Sequence, residues 1–499
     1  MVCTGKSKLG EVNEDLDMTN QEAYIVIDIG TGNVRVAVAS TSGEILGIER
    51  ENLQNHKDHQ YPEALYFDPN ALWQQIIRLA KKALSAAPGV KVLALTATSQ
   101  REGIVLLGKQ GESLIGLPNI DHRGREWDSM IADKSAVYQL TGRYPTSLFS
   151  ALKIVGVQHR RPEIWKEFKT FLSISDWVEY KLSGVVHYEH SQASETLLYD
   201  VAKQEWSDEL CAVFQIDPAV LPKLTLSGTP LGVILPTEAQ AFGIDANAKI
   251  IVGGADTQLA IISTQPLEND VVIVSGTTTP IIKITGEYIT DEQERTWTSR
   301  HTDEHSFILE ANAGVTGLNY QRLKEIFYPV EAYEVIEREL QEVNHFQCIA
   351  SLGSLVADEK KPLTRGGFIF DAPVSHLLTR GSFVWATLWD IACSITENYK
   401  SLCGVTTHEQ DYIWACGGGV QSATLRQFIA NLLQKRVIIR NSYRQSSVVG
   451  GVYICNKALG REAIAPYILE ETIPQQNEEH ARLYQEWKKT RASFIQISG

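Results

Sequence analysis

The chain has 499 residues, 43% of them hydrophobic and 21% charged, with a formal net charge of −14. This length predicts two domains, each large enough to bury a core of its own, and the acidic balance, with no basic patch interleaved with aromatics, excludes nucleic acid as a partner. Seven scattered cysteines without a CxxC pair read as reduced thiols. Residues 1–20 are polar and charged, so they read as a disordered extension and not as a signal peptide. No apolar run is long enough to span a bilayer. The expectation is a cytoplasmic protein with no membrane partner.

In chain order, the first element pair is "YIVIDIGTGNVRVAVAS", Tyr24 to Ser40: strand, glycine turn, strand. "GEILGIER" supplies a third strand, which makes an antiparallel meander. "DPNALWQQIIRLAKKALSAA" is a helix. Asp68 caps it, Pro69 suits its first turn, and Leu72, Ile76, Leu79, Ala80 and Leu84 share one face. "KVLALTATSQ" is a buried strand, and strands and helices alternate onward as an α/β layer. The middle of the chain repeats the opening. "KIIVGGADTQLAII" is a strand running into a glycine turn with an aspartate, and "DVVIVSGTTTPIIKITGEYIT" is again strand, small-residue turn, strand. The repeat predicts two domains of like fold. The expected division is an extension at 1–20, domains at 21–262 and 263–460, and a helical tail at 461–499. Near the end, "DYIWACGGGVQSATLRQFIANLLQKRVIIR" reads strand, triple-glycine turn, helix, strand.

The turns carry the chemistry. "DIGTGN", "SGTTT" and "GGGVQS" each let backbone N–H groups approach an anion, and the threonines of the first two add hydroxyl donors. Each alone could be an ordinary hairpin turn. Asp28 ends a buried strand, where a lone carboxylate is costly without a cation. Mg²⁺ beside a polyphosphate is the usual solution. Other nucleotide motifs fail. "TGKS" at Thr4–Ser7 lacks the first P-loop glycine and a preceding strand, and "GTGNVR" lacks the third glycine of the dinucleotide fingerprint and opens a strand. The His-x-x-His pairs at His56–His59 and His187–His190 lack a third ligand and read as surface residues.

With these motifs in order, the chain resembles the FGGY carbohydrate kinases of the actin-like ATPase superfamily, from about Tyr24 to Leu459. "DIGTGNVRV" and "SGTTTPI" look like the family's two phosphate motifs, "GGGVQS" like its adenosine motif, and "GGADTQ" like the segment with the catalytic aspartate. The resemblance implies two ribonuclease-H-like domains around a cleft that binds ATP and Mg²⁺. It implies Asp256 as general base toward a substrate hydroxyl, and Asp28 as the Mg²⁺ residue. Thr31, Gly32, Asn33 and Arg35 would lie near the phosphates, with Gly276 and Thr277 opposite them. Gly418 and Gly419 would carry the adenosine, with Gln421 and Ser422 at its edge, and Gly317 and Gln321 would face ribose and base.

Gln100, Arg101 and Glu102 in "SQREGIVLL" lie just past a strand end, where α/β sheets bind ligands. They are the expected substrate residues, together with Asp121 in "NIDHRGRE" and Asp256. "QRE" resembles the glycerol kinase form of the family and departs from the xylulokinase form. The longer run through "SISDWVEYKLSG" resembles the autoinducer-2 kinase branch, which implies a C5 hydroxyketone as acceptor; a pentulose, hexulose or polyol is the alternative. A homodimer is compatible with the reading, and a sugar sensor without turnover is the rival from another class. The sequence departs from the family at three places: "LWD" at Leu388–Asp390, "QSSVVGGV" at Gln445–Val452, and Asn431 in place of an aspartate.

Overall fold

The computed structural model of the chain describes residues 21–343, 346–359, 362–463 and 466–498. The expected extension at 1–20 lies outside them. The meander forms as the pattern predicts. β1 (Glu22–Ile29), β2 (Asn33–Ser40) and β3 (Ile45–Asn52) pair antiparallel in succession. The helix α1 (Pro69–Ser85) follows, with the Asp68 carboxylate accepting the N–H groups of Asn70 and Ala71. β4 (Lys91–Ser99) then lies parallel to β1. The helix α2 (Ile174–Ser183) packs beneath the sheet, and β5 (Pro230–Val233) and β6 (Lys249–Ala255) complete it in the order β5-β6-β4-β1-β2-β3. The short helix α3 (Asp256–Ile262) leaves the end of β6.

The second sheet repeats the plan. β7 (Val271–Val274) and β8 (Thr278–Thr285) form an antiparallel hairpin, followed by β9 (Trp297–Arg300) and β10 (Phe307–Val315). After the helices α4 (Gly317–Phe327) and α5 (Arg380–Val405), β11 (Tyr412–Cys416) pairs parallel to β7. The helix α6 (Ala423–Leu433) leads to β12 (Arg436–Arg440), parallel to β11. The helix α7 (Ser446–Ala458), the strand β13 (Ile468–Thr472) and the helix α8 (Glu478–Ser498) finish the chain. The order is β9-β10-β8-β7-β11-β12-β13. In both sheets a hairpin is flanked on one side by parallel strands that enter through helices, the arrangement of a duplicated α/β layer. Both glycine turns, at 30–32 and 275–277, therefore sit at equivalent hairpin tips.

One helix crosses between the two layers. Val448, Val452, Ile454 and Cys455 of α7 share a core with Tyr24, Val26, Ala37, Ala94 and Ile251 of the first sheet. The Tyr24 hydroxyl donates to Asn456 Oδ1 at 2.8 Å, across 432 residues of sequence. A Cβ at Gly450 would overlap the Leu259 carbonyl, so the backbones of α7 and α3 touch there. Cys211, Cys348, Cys393, Cys403, Cys416 and Cys455 carry free thiols. Among the described residues no helix is long and apolar enough to cross a membrane.

Candidate active site

The two hairpin tips and the N-termini of α3 and α7 face one cleft of about 500 Å³. It gathers Asp28, Thr31, Gly32, Asn33, Arg35, Asp256, Gly276, Thr277 and Gly418. A neighbouring cavity of about 670 Å³ shares Gly276, Thr277 and Gly418 and adds Gly317, Gln321, Gly419 and Ser422. Residues expected to meet a nucleotide, from four separate stretches of sequence, therefore line two adjoining cavities.

Asp28 is the penultimate residue of β1 and is 3% exposed. The cation that its burial demands is present in the chain. Arg35, directly opposite in the β1–β2 register, makes an ion pair with it, and the Ser447 hydroxyl donates to Asp28 Oδ2 at 2.6 Å. Arg35 Nη1 donates to Gln445 Oε1 at 2.6 Å. Arg50 of β3 stands opposite Arg35 in register and donates from Nε to Asn33 Oδ1 at 2.7 Å. Two like charges side by side at a sheet end repel each other, and both line the cleft. An anion there would relieve them. Arg50 was not foreseen from sequence, although drawing the meander in register would have placed it.

Asp256 opens α3, with its Oδ1 accepting the Thr257 N–H at 2.6 Å. Burial in the cleft, reinforced by the charge of Asp28, pushes its carboxyl up to about 6; Arg101 acts against the rise. Its position is fixed from behind. The β4–β6 pairing is irregular between Ile251 and Gly254. There the buried Glu179 of α2 inserts Oε1, which accepts the N–H groups of Ala97 at 3.1 Å and Gly253 at 2.8 Å. Its Oε2 lies 3.0 Å from His187 Nε2, and Asp176 Oδ1 lies 3.2 Å from the same nitrogen. Desolvation disfavours a charged imidazole, but Asp176 and Glu179 outweigh it and push His187 up to about 11. His187 is thus a buried cation beneath the strand ends and not the surface residue that its motif suggested. Trp177 and Asp176 of "ISDW" are likewise buried.

The substrate loop is more divided than expected. Gln100 is 1% exposed and holds the scaffold. Its Nε2 donates to Gly30 O, its Oε1 accepts the Asn119 N–H at 2.8 Å, and Asn119 Nδ2 donates to Thr31 Oγ1 at 2.9 Å. Arg101 forks onto Glu310 of β10 at 2.5 and 3.0 Å. Glu102 adopts the left-handed conformation, φ 61°, which is rare for a residue with a side chain. Lys153 holds it there, donating to the carbonyls of Glu102 and Pro118 at 2.9 and 2.8 Å. Burial, then the charge of Glu195, pushes the Glu102 carboxyl up to about 7. Of the five expected substrate residues only Asp256 lines the cleft, and Asp121 is the most deeply buried of the other four. It is fully buried, accepting from Arg123 Nε at 2.7 Å and the Leu65 N–H at 2.9 Å. The Asp-x-Arg spacing lets Arg123 fold back and engage it.

At the far cavity, Gly417 has φ 94°, and a Cβ there would overlap the Ser275 carbonyl. A Cβ at Gly419 would overlap Ser275 Oγ, and one at Gly317 the Gly276 carbonyl. These three glycines let the turns pack on one another. Gly32 and Gly418 differ: a Cβ at either meets no protein atom within 4 Å. Both are open to the cavities, so their bareness leaves room for something other than protein. The Ser422 hydroxyl caps α6 by accepting the Leu425 N–H at 3.2 Å. Bare turns, three arginines (Arg35, Arg50 and Arg444) and two carboxylates around one cleft fit a phosphate chain with a divalent cation.

Comparison with known proteins supplies the family. Residues 23–263 match the FGGY family of carbohydrate kinases, N-terminal domain, and residues 350–459 match its C-terminal domain. A Bacillus subtilis (strain 168) protein named "Putative sugar kinase YoaC" is 49% identical over 96% of this chain and 98% of its own length. The chain belongs to the FGGY family of carbohydrate kinases. The autoinducer-2 kinase of Klebsiella pneumoniae is 25% identical, over 63% of this chain and 62% of its own length. The alignment thus spans less than two thirds of that relative. Ligand-bound xylulose kinase from Lactobacillus acidophilus superposes with a TM-score of 0.81 at 17% identity, covering 96% of this chain and 99% of that one. Plasmodium falciparum glycerol kinase with ADP gives a TM-score of 0.81 at 18% identity over 96% and 99%. At such identities the likeness establishes the two-domain α/β kinase fold.

Within this FGGY kinase the three departures have structural reasons. Trp389 and Asp390 of α5, and Asn431 of α6, face the C-terminal segment. His480 packs on Trp389 and lies 3.2 Å from Asn431 Nδ2, Asn431 Oδ1 accepts the Gln475 N–H, and Asp390 Oδ1 accepts the Trp487 indole N–H at 2.7 Å. Gln445 and Ser447 instead join the phosphate-side cleft through Arg35 and Asp28.

Proposed function

We propose that this FGGY kinase transfers the γ-phosphate of ATP to a hydroxyl of a small sugar or hydroxyketone, with Asp256 as general base. The observation that carries the reading is the location of Asp256: a carboxyl held near 6 at the edge of the cleft that the phosphate turns share. A base with that affinity can take a proton from a hydroxyl as its oxygen moves toward phosphorus. Asp28 would hold Mg²⁺ through water. Thr31, Gly32, Asn33, Arg35, Gly276 and Thr277 would hold the phosphates, and Gly317, Gln321, Gly418, Gly419 and Ser422 the nucleoside. Bound ATP and Mg²⁺ supply the phosphoryl group and part of its charge neutralisation. The chain itself orients the acceptor, holds the proton at Asp256 and places arginine charge beside the transferring oxygens. Arg101 and Glu102 would contact the acceptor. A C5 hydroxyketone of the autoinducer-2 type heads the acceptors, because of the "SQREGIVLL" to "SISDWVEYKLSG" run; a pentulose, hexulose or polyol is the alternative.

The test is ADP release with Mg²⁺ and ATP across the autoinducer-2 precursor, xylulose, ribulose, fructose, gluconate, glycerol and erythritol. Stimulation by one compound supports the kinase and names its acceptor. Sugar binding without turnover of any compound would favour the sensor reading.

A further inference from the structure

The two cavities of the site meet along a short seam. The residues that border both are Arg50, Gly276, Thr277, Gly418, Gln421 and Arg444. Two of these are cations, and they come from opposite halves of the chain. Arg50 lies on β3 of the first sheet, and Arg444 lies in the turn Tyr443–Gln445 that precedes α7. Neither belongs to one of the glycine turns.

Each side chain is anchored at one end and free at the other. Arg50 Nε donates to Asn33 Oδ1 at 2.7 Å. Arg444 Nε donates to the Tyr443 hydroxyl at 2.8 Å, with its guanidinium 5.5 Å from the centroid of that ring. Among the described residues, neither guanidinium has a carboxylate partner, and none of their Nη groups donates to protein. The other charges have places of their own. Asp28 pairs with Arg35, and Asp256 borders the smaller cleft alone. Glu334, Glu337 and Arg338 border the larger cavity alone, where Glu337 accepts the Thr424 N–H and hydroxyl. Arg50 also borders a third groove of about 560 Å³, but there Glu51 pairs with Arg78 and Asp68 caps α1, so no free carboxylate draws it from the seam. At the seam itself the only charged residues are two unpaired cations.

Two cations on a shared gap repel each other. An anion between them removes that cost, and a guanidinium offers a fork of N–H donors that matches phosphate oxygens. Position selects the anion. A nucleoside triphosphate with its nucleoside in the larger cavity and its γ-phosphate beside Asp256 in the smaller one must carry its inner phosphates through the seam.

We propose that Arg50 and Arg444 grip the inner phosphates of the nucleotide from the two halves of the molecule, and that this pair makes affinity depend on a diphosphate. The inference rests on the kinase reading above and adds two phosphate-binding residues from outside its turns.

The test is calorimetric titration of ADP and of adenosine into wild type, Arg50→Gln, Arg444→Gln and the double variant. Both side chains are exposed and neither has an ion pair to lose, so the fold is retained. ADP affinity should fall roughly tenfold in each single variant, the low end for a hydrogen bond to a charged group because both arginines are solvated. Adenosine affinity should not change. Added salt should weaken ADP binding to wild type more than to the double variant. In turnover, KM for ATP should rise in both single variants while KM for the acceptor stays level. Unchanged ADP affinity in either single variant, or an equal loss for adenosine, would overturn the proposal. The titration needs no acceptor, so it decides even if none is phosphorylated. If wild type binds no ADP, inorganic pyrophosphate takes its place. Pyrophosphate binding that both variants weaken would sustain the arginine pair while the nucleotide reading fails; binding of neither ligand would overturn both.

Discussion

Asp256 and the two exposed glycines make the sharpest demands on single residues. A free aspartate titrates near 4. Burial and the charge of Asp28 hold Asp256 near 6, and the base must be unprotonated to act. Lowering pH protonates it, so kcat/KM should be level above about pH 6 and fall as pH drops below that; the pH–rate profile checks this, and a limb near 4 would contradict it. Gly32 and Gly418 test the cradle. Alanine at either meets no protein atom within 4 Å, so stability should stay within about 0.5 kcal/mol of wild type, as for surface changes away from special features. ADP affinity should nevertheless fall, because the methyl enters the cavity; calorimetry and thermal unfolding on the same samples read both. At this scale the sequence was legible where a residue sits in a turn with a chemical reason, as Asp28, Thr31 and Asp256 do. It was illegible for Arg50 and Glu310, whose importance comes from partners on other strands. Asp121 failed in the opposite way: the partner two residues away, Arg123, engages it and buries both.

Elements were legible when their signal was local. The capped start of α1 and its apolar face, and both glycine hairpins, follow from period and turn chemistry. The C-terminal helix was read as a tail without a motif, yet α8 docks. Leu483, Tyr484 and Trp487 are buried, and Arg491 reaches the Ser354 carbonyl and Glu359. The signal lay in α5 and α6, at the positions where the family pattern was broken. Burial pushes Asp390 up to about 6, and the Trp487 N–H and Arg491 work against that rise. Trp487→Ala would remove a buried indole and leave Asp390 short of a donor. We expect a loss of about 3–5 kcal/mol in stability, the range for buried tryptophan truncation, with ADP affinity of the folded protein unchanged. Urea denaturation measures the first. A loss below 1 kcal/mol would mean that α8 is not held as described.

At the scale of the whole molecule, the duplication was visible because each half writes its own hairpin and turn. The contacts between halves were not, because they join distant residues. Arg101 pairs with Glu310, Tyr138 donates to the Thr296 carbonyl at 2.8 Å, and α7 of the second half covers the first sheet. A kinase must exclude water before transfer, or ATP is hydrolysed without an acceptor. With a non-hydrolysable ATP analogue and acceptor together, the radius of gyration from small-angle scattering should fall, and with either alone it should fall less. No compaction with both would count against closure.

The central claim is that Asp256 takes the acceptor proton in a cleft that holds ATP. Its most direct test is single-turnover phosphorylation of the preferred acceptor by wild type and Asp256→Asn, with ADP affinity measured in parallel. The account predicts that the variant binds ADP as wild type does but transfers phosphate roughly 10²–10⁴-fold more slowly, the contribution of a positioned general base. Equal transfer rates in the two proteins would contradict it.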